Sequence, residues 1–410
     1  MKLVLFTAHY PFGQGESFLE EEIRVAERYF ERITIVSYER EERELSRYVP
    51  ANASVIQIRK NMGTWDRLRK GLPFLFRKRM WKEFLWAKKN TPYSLPEILL
   101  QLFLVESLGS ILRSHRKEWM ENDRDTVYYS YWLGTEFAFA DSGWKGLKIS
   151  RAHGGDCFFD RGYHPYRREA LRNLDFVFPI SEAGCRDIVS HYEKEVPNLA
   201  EKVKTARMGI SIPEKSAPVS DGGLRTIVTC SNIIPLKRLD LMVDALQTIH
   251  DMNLQWIHFG DGSLKEQILQ KAGNQLGAQK NIRFDFRGYT PNAQIRAFYQ
   301  SVPVDLFVNC SDVEGIPVSV MEAMACGIPA IGRDVGGMGE LIDGSCGLLL
   351  PEQTDAAALA AAIREILCLP SERHRELCAA ARERIEKRFD AVQNYNALFA
   401  FIKGCLYADD

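Results

Sequence analysis

This 410-residue chain predicts an α/β protein of two doubly wound, Rossmann-like domains facing across a cleft. Three observations carry that expectation. The length suits two domains of roughly 100–200 residues each. Short apolar runs of strand length alternate with amphipathic stretches of helix length throughout. A polar stretch rich in Pro, Gly and Ser, PEKSAPVSDGG from Pro213 to Gly223, divides the chain near its middle. The boundaries that follow are 1–215 and 220–384, with an amphipathic helical segment over about 385–410.

The elements read as follows. Lys2 to Thr7 is a buried strand, followed by a glycine-containing loop, Gly13-Gln14-Gly15-Glu16-Ser17, a helix, and a strand from Ile33 to Ser37. Further strands are expected at Thr126 to Tyr129, Lys148 to Arg151 and Phe176 to Pro179. The second half repeats the pattern with Thr226 to Cys230, a helix over Leu239 to His250, and strands at Gln255 to Phe259, Ile282 to Phe286 and Leu306 to Asn309. A short hairpin is expected near Gly347-Leu348-Leu349.

Composition narrows the function classes. Hydrophobic content is 46%, charged content 26%, and the net charge is −1, so no global field points to nucleic acid. The nine cysteines begin at Cys157, are odd in number, and form neither a C-x-x-C pair nor a metal-binding spacing with histidine. A reduced, cytoplasmic setting is the simpler reading. The opening MKLVLFTAHY is too short and too soon polar for a signal peptide. The longest apolar run, Ile98 to Leu112, is interrupted by Gln101, Glu106 and Ser107, so no membrane span is expected.

The most informative stretch is Ser311 to Ala330, SDVEGIPVSVMEAMACGIPA. A strand leads through Glu314-Gly315-Ile316-Pro317 into a helix, and such a turn lets backbone N–H groups and the helix dipole hold a phosphate. Glu314 is expected in the loop and Glu322 roughly two turns into the helix. A carboxylate can accept hydrogen bonds from two vicinal hydroxyls, as sugars and riboses require. The alternative is a doubly wound unit whose small residues only allow close helix–strand packing.

This stretch resembles the E-x7-E motif of retaining glycosyltransferases of family 4, which have the GT-B fold. The surrounding EGIPVSVMEAM and GIP make the match specific. The resemblance implies a nucleotide diphosphate sugar as donor, no cofactor and no bound metal. It implies that Glu314 holds donor-sugar hydroxyls and Glu322 the ribose, with N–H groups near Gly315, Ile316 and Pro317 meeting the diphosphate. Lys237 matches the family's phosphate-binding lysine; the family's neighbouring arginine is here Asn232, and Arg238 is a candidate to compensate. Alternatively, Lys237 and Arg238 are solvated residues at a helix start. Gly260-Asp261-Gly262 resembles the family's G-x-G turn, and the loop with Arg287 and Gly288 is similar to the segment that lies against the base.

In the first domain, Arg151-Ala152-His153-Gly154-Gly155-Asp156 resembles the HG-x-D motif of bacterial members that build surface polysaccharides. His153 is the position placed near the donor sugar, and Asp156 is either acceptor-side or a turn cap. Gly13 and Gly15 match the family's glycine loop, which approaches the diphosphate or acceptor, and Glu16 is a further acceptor-side candidate. Ser181-Glu182 resembles a family helix start or is only an N-cap. The last helix of GT-B proteins commonly crosses back to the first domain. The implied acceptor is a glycan or a polyprenyl-diphosphate-linked glycan.

Arg59 to Lys89 carries eleven Lys/Arg against Asp66 and Glu83, interleaved with Trp65, Phe74, Phe76, Trp81, Phe84 and Trp86. Such a mixture suits an anionic membrane surface or the pyrophosphate of a lipid-linked acceptor. The plainer alternative is an amphipathic helix pair with a solvated basic face. Two other activities remain open: a sugar-nucleotide-binding protein without turnover, and an epimerase or phosphorylase on the same fold.

Overall fold

The computed structural model describes residues 1–13, 15–16, 18–41, 44–58, 75–121, 123–159, 162–220 and 223–407. The chain divides into two compact units. Unit 1 is Met1–Arg207 together with the segment from Val392 onward; unit 2 is Met208–Ala391.

Unit 1 contains, in order, β1 (Lys2–Thr7), α1 (Leu19–Ala26), β2 (Arg32–Ser37), β3 (Ala53–Gln57), α2 (Lys78–Asn90), α3 (Leu95–Ser114), α4 (Arg116–Trp119), β4 (Thr126–Ser130), β5 (Leu147–Ala152), α5 (Arg167–Asn173), β6 (Phe176–Pro179), α6 (Glu182–Tyr192) and α7 (Leu199–Lys202). Its six strands are parallel in the order β3-β2-β1-β4-β5-β6. Leu3, Val4, Leu5 and Phe6 of β1 are all buried. That is how a parallel strand covered on both faces reads in sequence: continuously apolar rather than alternating.

Unit 2 contains β7 (Arg225–Cys230), α8 (Leu239–Gln247), β8 (Leu254–Phe259), α9 (Lys265–Leu276), β9 (Ile282–Phe286), α10 (Asn292–Ser301), β10 (Leu306–Asn309), α11 (Val318–Ala325), β11 (Ala330–Arg333), α12 (Met338–Leu341), β12 (Gly347–Leu350), α13 (Ala356–Leu367) and α14 (Ser371–Arg388). Its parallel sheet has the order β12-β11-β10-β7-β8-β9. The last helix, α15 (Ala391–Leu406), lies almost wholly in unit 1. There Phe399 packs 5.6 Å from the rings of both Tyr29 and Phe30.

In each sheet the strand order reverses once, between β1 and β4 in unit 1 and between β7 and β10 in unit 2. At such a reversal the two flanking loops leave in opposite directions and open a crevice beyond the carboxyl ends of the strands. These two crevices hold most of the singled-out residues.

Three expectations are corrected, and one is put to a further test. Gly347–Leu350 is no hairpin; it pairs parallel with β11 as the sheet's edge, reached over the short helix α12. The α8 helix stops at Gln247, three residues early. Glu322 is the fifth residue of α11, which begins only at Val318 after Pro317 has occupied the N-cap position. And α3, at 20 residues, is long and apolar enough to cross a membrane by length and composition. Its Ile98, Leu102, Ile111 and Leu112 belong to the unit 1 core. Buried Glu106, midway along it, receives ion pairs from Arg77 and Arg79, so α3 reads as a core helix. The strand β3 was not anticipated; its alternation is weak because no residue of it is fully buried.

Candidate functional site

The unit 2 crevice is built from two loops. After β7 the chain runs through Ser231–Ile234 into a 3-10 turn, Pro235–Lys237, and then into α8. The carbonyl of Ser231 is pressed so close to Gly260 that a Cβ there would sit 1.9 Å from it. β10 closes on Asn309, and the chain then passes Asp312 and Glu314 into α11. The two loops are stapled together, since the Asp312 N–H donates to the Leu236 carbonyl at 2.9 Å.

At the centre, the Lys237 ammonium donates to Glu314 Oε1 at 2.6 Å. The lysine side chain is 21% exposed and the carboxylate 9%. Asn309 Nδ2 donates to the same oxygen at 3.1 Å, while its Oδ1 accepts from the Ser311 N–H at 2.9 Å. Asn309 therefore fixes both the carboxylate and the loop that carries it. From below, Gly336 is held at φ 59, and a Cβ on it would fall 2.0 Å from the Glu314 carbonyl. The Gly337 N–H donates to the Gly315 carbonyl at 2.7 Å. Among the described residues, the N–H groups of Gly315, Ile316, Val318 and Ser319 have no acceptor. They sit at the positive end of α11, beside the only ammonium of these two loops, and form a place for an anion.

Arg238 is arranged differently. It adopts φ 47 at the start of α8, and its guanidinium contacts Asp240 at 3.2 Å and Asp312 at 3.3 Å. Asp312 also takes Arg333. A cation at a helix N-terminus is unfavourable, and these carboxylates offset it. Asn232 is exposed at the opening of the same loop. Glu322, 5% exposed, receives contacts of 3.4 Å from Asn292 and Arg296 of α10. Its negative charge helps burial push the neighbouring Cys230 thiol up to about 12. Gly288, at φ 67, accepts the Gly260 N–H at 2.9 Å through its carbonyl, and exposed Arg287 pairs with Asp285 at 2.9 Å.

The unit 1 crevice has another character. Glu16, at φ 54 and 5% exposed, turns its carboxylate onto the backbone N–H groups of Ala8 at 3.0 Å, His9 at 2.7 Å and Tyr10 at 2.6 Å. It also accepts from the Trp132 indole at 2.6 Å, tying the loop after β1 to the loop after β4. Gly13, at φ 64, offers its carbonyl to Ser46 at 2.9 Å. The N–H groups beside the glycine loop are thus already held by the chain's own carboxylate.

His153 directly follows β5 and sits in an aromatic box, with Trp132 at 4.8 Å, Tyr131 at 4.9 Å and Phe18 at 5.3 Å between ring centroids. Its Nε2 donates to the Tyr131 carbonyl at 3.0 Å, since a carbonyl can only accept. Burial, then the charge of Arg151, lowers its pKa to about 3, so the imidazole is neutral. Asp156 accepts the N–H groups of Leu133 and His153 and so holds the turn. Burial raises it to about 6 against the opposing pull of Arg167 and those N–H groups. Ser181 accepts the Gly184 N–H at 3.0 Å as an N-cap. Of the segment Arg59–Lys89, residues 59–74 lie outside the described residues.

Sequence reasoning passed over Asn309, Asp312, Trp132 and His9. Asn309 had one signal, a polar residue closing an apolar strand. Among the described residues no group of three or more His, Cys, Asp or Glu side chains could hold a metal ion.

Residues 212–386 match the family Glycosyl transferases group 1. A putative colanic acid biosynthesis glycosyltransferase, WcaL of Salmonella typhimurium, is 26% identical over 237 residues, 56% of each chain. The amylovoran biosynthesis glycosyltransferase AmsK of Erwinia amylovora is 27% identical, over 62% of this chain and 61% of that relative. The matches thus span little more than half the length of these relatives. Among solved structures, Anabaena HepE in complex with UDP and glucose superposes with a TM-score of 0.64 at 17% identity, covering 98% of this chain and 99% of that one. At that identity the likeness establishes the fold.

Proposed function

From the premise that residues 212–386 form a group 1 glycosyltransferase domain within a GT-B fold, we propose that this protein is a retaining glycosyltransferase of bacterial surface polysaccharide biosynthesis. It moves a sugar from a nucleotide diphosphate sugar to a hydroxyl of a glycan or lipid-linked glycan, at the cytoplasmic side. The observation that carries the reading is the Lys237–Glu314 pair beside the open N–H groups that start α11, at the strand reversal of unit 2.

In this account the diphosphate sits on those N–H groups and draws the Lys237 ammonium from Glu314. The freed carboxylate, kept in place by Asn309, accepts hydrogen bonds from donor-sugar hydroxyls. Glu322 holds the ribose. As the glycosidic bond breaks, charge grows on the leaving phosphate, and fixed N–H dipoles and one ammonium meet it without reorganisation. The acceptor proton passes to that phosphate on the same face, which retains the anomeric configuration. Lys237 and the α11 start supply the positive potential, so the proposal includes no bound metal. His153, neutral over the whole working range, contributes a dipole and not a proton.

The test is a thermal-shift panel of nucleoside diphosphates and their sugars in the presence of a chelator. A ligand at a hundredfold excess over its Kd stabilises the fold by about 2.7 kcal/mol, and a selective shift with one base is the expected result. No shift with any of them would sink the donor reading.

A peripheral membrane contact belongs to the same proposal. On α2 and α3 and just before them, Phe76 is 90% exposed and Leu85 63%, with Trp81 and Leu100 also exposed among Lys78, Lys82, Lys88 and Lys89. Flotation with liposomes containing anionic phosphatidylglycerol at low salt is expected to carry the protein upward. Protein left at the bottom of the gradient excludes the contact.

A further inference from the structure

A titratable pair stands just beyond the carboxyl ends of β1 and β2. His9 Nδ1 lies 2.9 Å from Glu39 Oε2. The two side chains differ sharply in exposure: the imidazole is 56% exposed and the carboxylate 7%. The other oxygen of Glu39 accepts the N–H groups of Arg40 at 2.7 Å and Glu41 at 3.0 Å, so the carboxylate is fixed before the histidine meets it. Burial opposes its charge, yet these N–H groups and His9 together hold its pKa below the ordinary value.

An ionised carboxylate only accepts, so Nδ1 carries the proton and the lone pair of a neutral ring is on Nε2. Among the described residues Nε2 has no hydrogen-bond partner. The ring is held elsewhere too. It lies over Gly15, where a Cβ would come within 3.3 Å of His9 Cδ2, and the His9 N–H is bound by Glu16 at 2.7 Å. Backbone, ring plane and tautomer are therefore all set, which an exposed histidine with only a structural part does not need.

The surroundings select the ligand. The buried carboxylate of Glu39 at the imidazole, with that of buried Glu16 on the His9 backbone N–H, opposes a phosphate there. A neutral hydroxyl, able to donate to the exposed lone pair, suits the site. We propose that His9, presented by Glu39, binds a hydroxyl of the acceptor glycan through Nε2. This rests on the glycosyltransferase reading and adds an acceptor contact to it.

The test uses the full chain with UDP-glucose, UDP-galactose and UDP-N-acetylglucosamine as donors. The acceptor probes are octyl β-glucoside, octyl β-galactoside and farnesyl-diphosphate-linked N-acetylglucosamine. His9→Phe keeps a ring over Gly15 and removes the lone pair. Transfer to the probe is expected to fall about tenfold, through a higher acceptor KM, while UDP affinity stays within about twofold. His9→Gln restores an acceptor oxygen and should recover part of the loss. Glu39→Gln, which turns an amide N–H₂ or a weaker oxygen toward Nδ1, should fall between the two. An unchanged acceptor KM in His9→Phe overturns the proposal, as does a loss of UDP affinity matching the loss of transfer. Failure of the donor reading is separate: it shows as absence of UDP-sugar binding by the unaltered chain.

Discussion

The two crevices occupy equivalent places in equivalent sheets, yet they treat anions in opposite ways. In unit 1 the N–H groups after β1 converge on Glu16, and the turn after β5 is closed by Asp156. In unit 2 the N–H groups that start α11 have no acceptor among the described residues, and an ammonium stands beside them. A doubly wound sheet offers a phosphate site at each reversal of strand order, and a single carboxylate placed in the loop is enough to close one. In the proposed function, that difference is the reason for seating the diphosphate in unit 2 and hydroxyl-rich chemistry in unit 1.

The largest effects should come from unit 2. Glu314→Gln keeps the size of the side chain but removes the charge that Lys237 and Asn309 hold. Steady-state transfer is expected to fall by about 10²–10³ with nucleotide affinity much less altered, as for removal of a preorganised electrostatic group. Glu322→Ala should instead lower nucleotide affinity, by about tenfold or more, on loss of a charged hydrogen-bond acceptor. Isothermal titration of both variants checks the division; equal losses of nucleotide affinity would contradict it.

Next in size is the closing carboxylate of unit 1. Glu16→Ala strands three backbone N–H groups and the Trp132 indole, and a buried unsatisfied donor costs about 1–3 kcal/mol. Calorimetric melting should show a clearly lower Tm with nucleotide binding retained. A variant as stable as the parent would mean that the loop donors are not held by this carboxylate.

A smaller effect is pH-dependent. His153 titrates at about 3 in the folded chain against an ordinary 6.5, so the unfolded chain takes the proton first. Its contribution to stability is whole above pH 6.5 and is lost as the pH falls toward 3. Asp156, raised to about 6 from 3.8, runs the other way and gains stability as the pH falls through 6. His153→Gln should therefore reduce the acid-side loss of stability between about pH 7 and pH 5 by about 2 kcal/mol, read from denaturant midpoints. An unchanged pH profile would mean that the ring is not buried in the neutral form.

The smallest effect is expected at Arg238. Its charge is met by Asp240 and Asp312, so Arg238→Gln should change nucleoside diphosphate affinity by less than about threefold. A loss as large as that of a phosphate-binding cation would place Arg238 beside Lys237 in function.

Much of this was legible in the sequence because parallel strands announce themselves as unbroken apolar runs, as β1, β6 and β10 do. The strand–turn–helix around Glu314 was legible for the same reason, since Gly315 and Pro317 punctuate it. What could not be read depends on which carboxylate meets which N–H. Nothing in the spacing of Glu16 says that it folds back on Ala8, His9 and Tyr10, and that contact decides the character of the whole crevice. Asn309 and the His9–Glu39 pair were hidden likewise, because their partners lie on other segments. As an edge strand of partly exposed residues β3 carries little pattern, and β12 resembles a hairpin in sequence because its parallel partner lies 17 residues earlier.

The most direct test of the central claim compares the nucleoside diphosphate selected by the panel with its monophosphate, titrated calorimetrically into the unaltered chain and into Lys237→Met. The account predicts that the unaltered chain prefers the diphosphate and that Lys237→Met loses most of that preference, about 10- to 100-fold, while monophosphate affinity holds. A diphosphate preference that survives in Lys237→Met would contradict it and would put the anion elsewhere in the molecule.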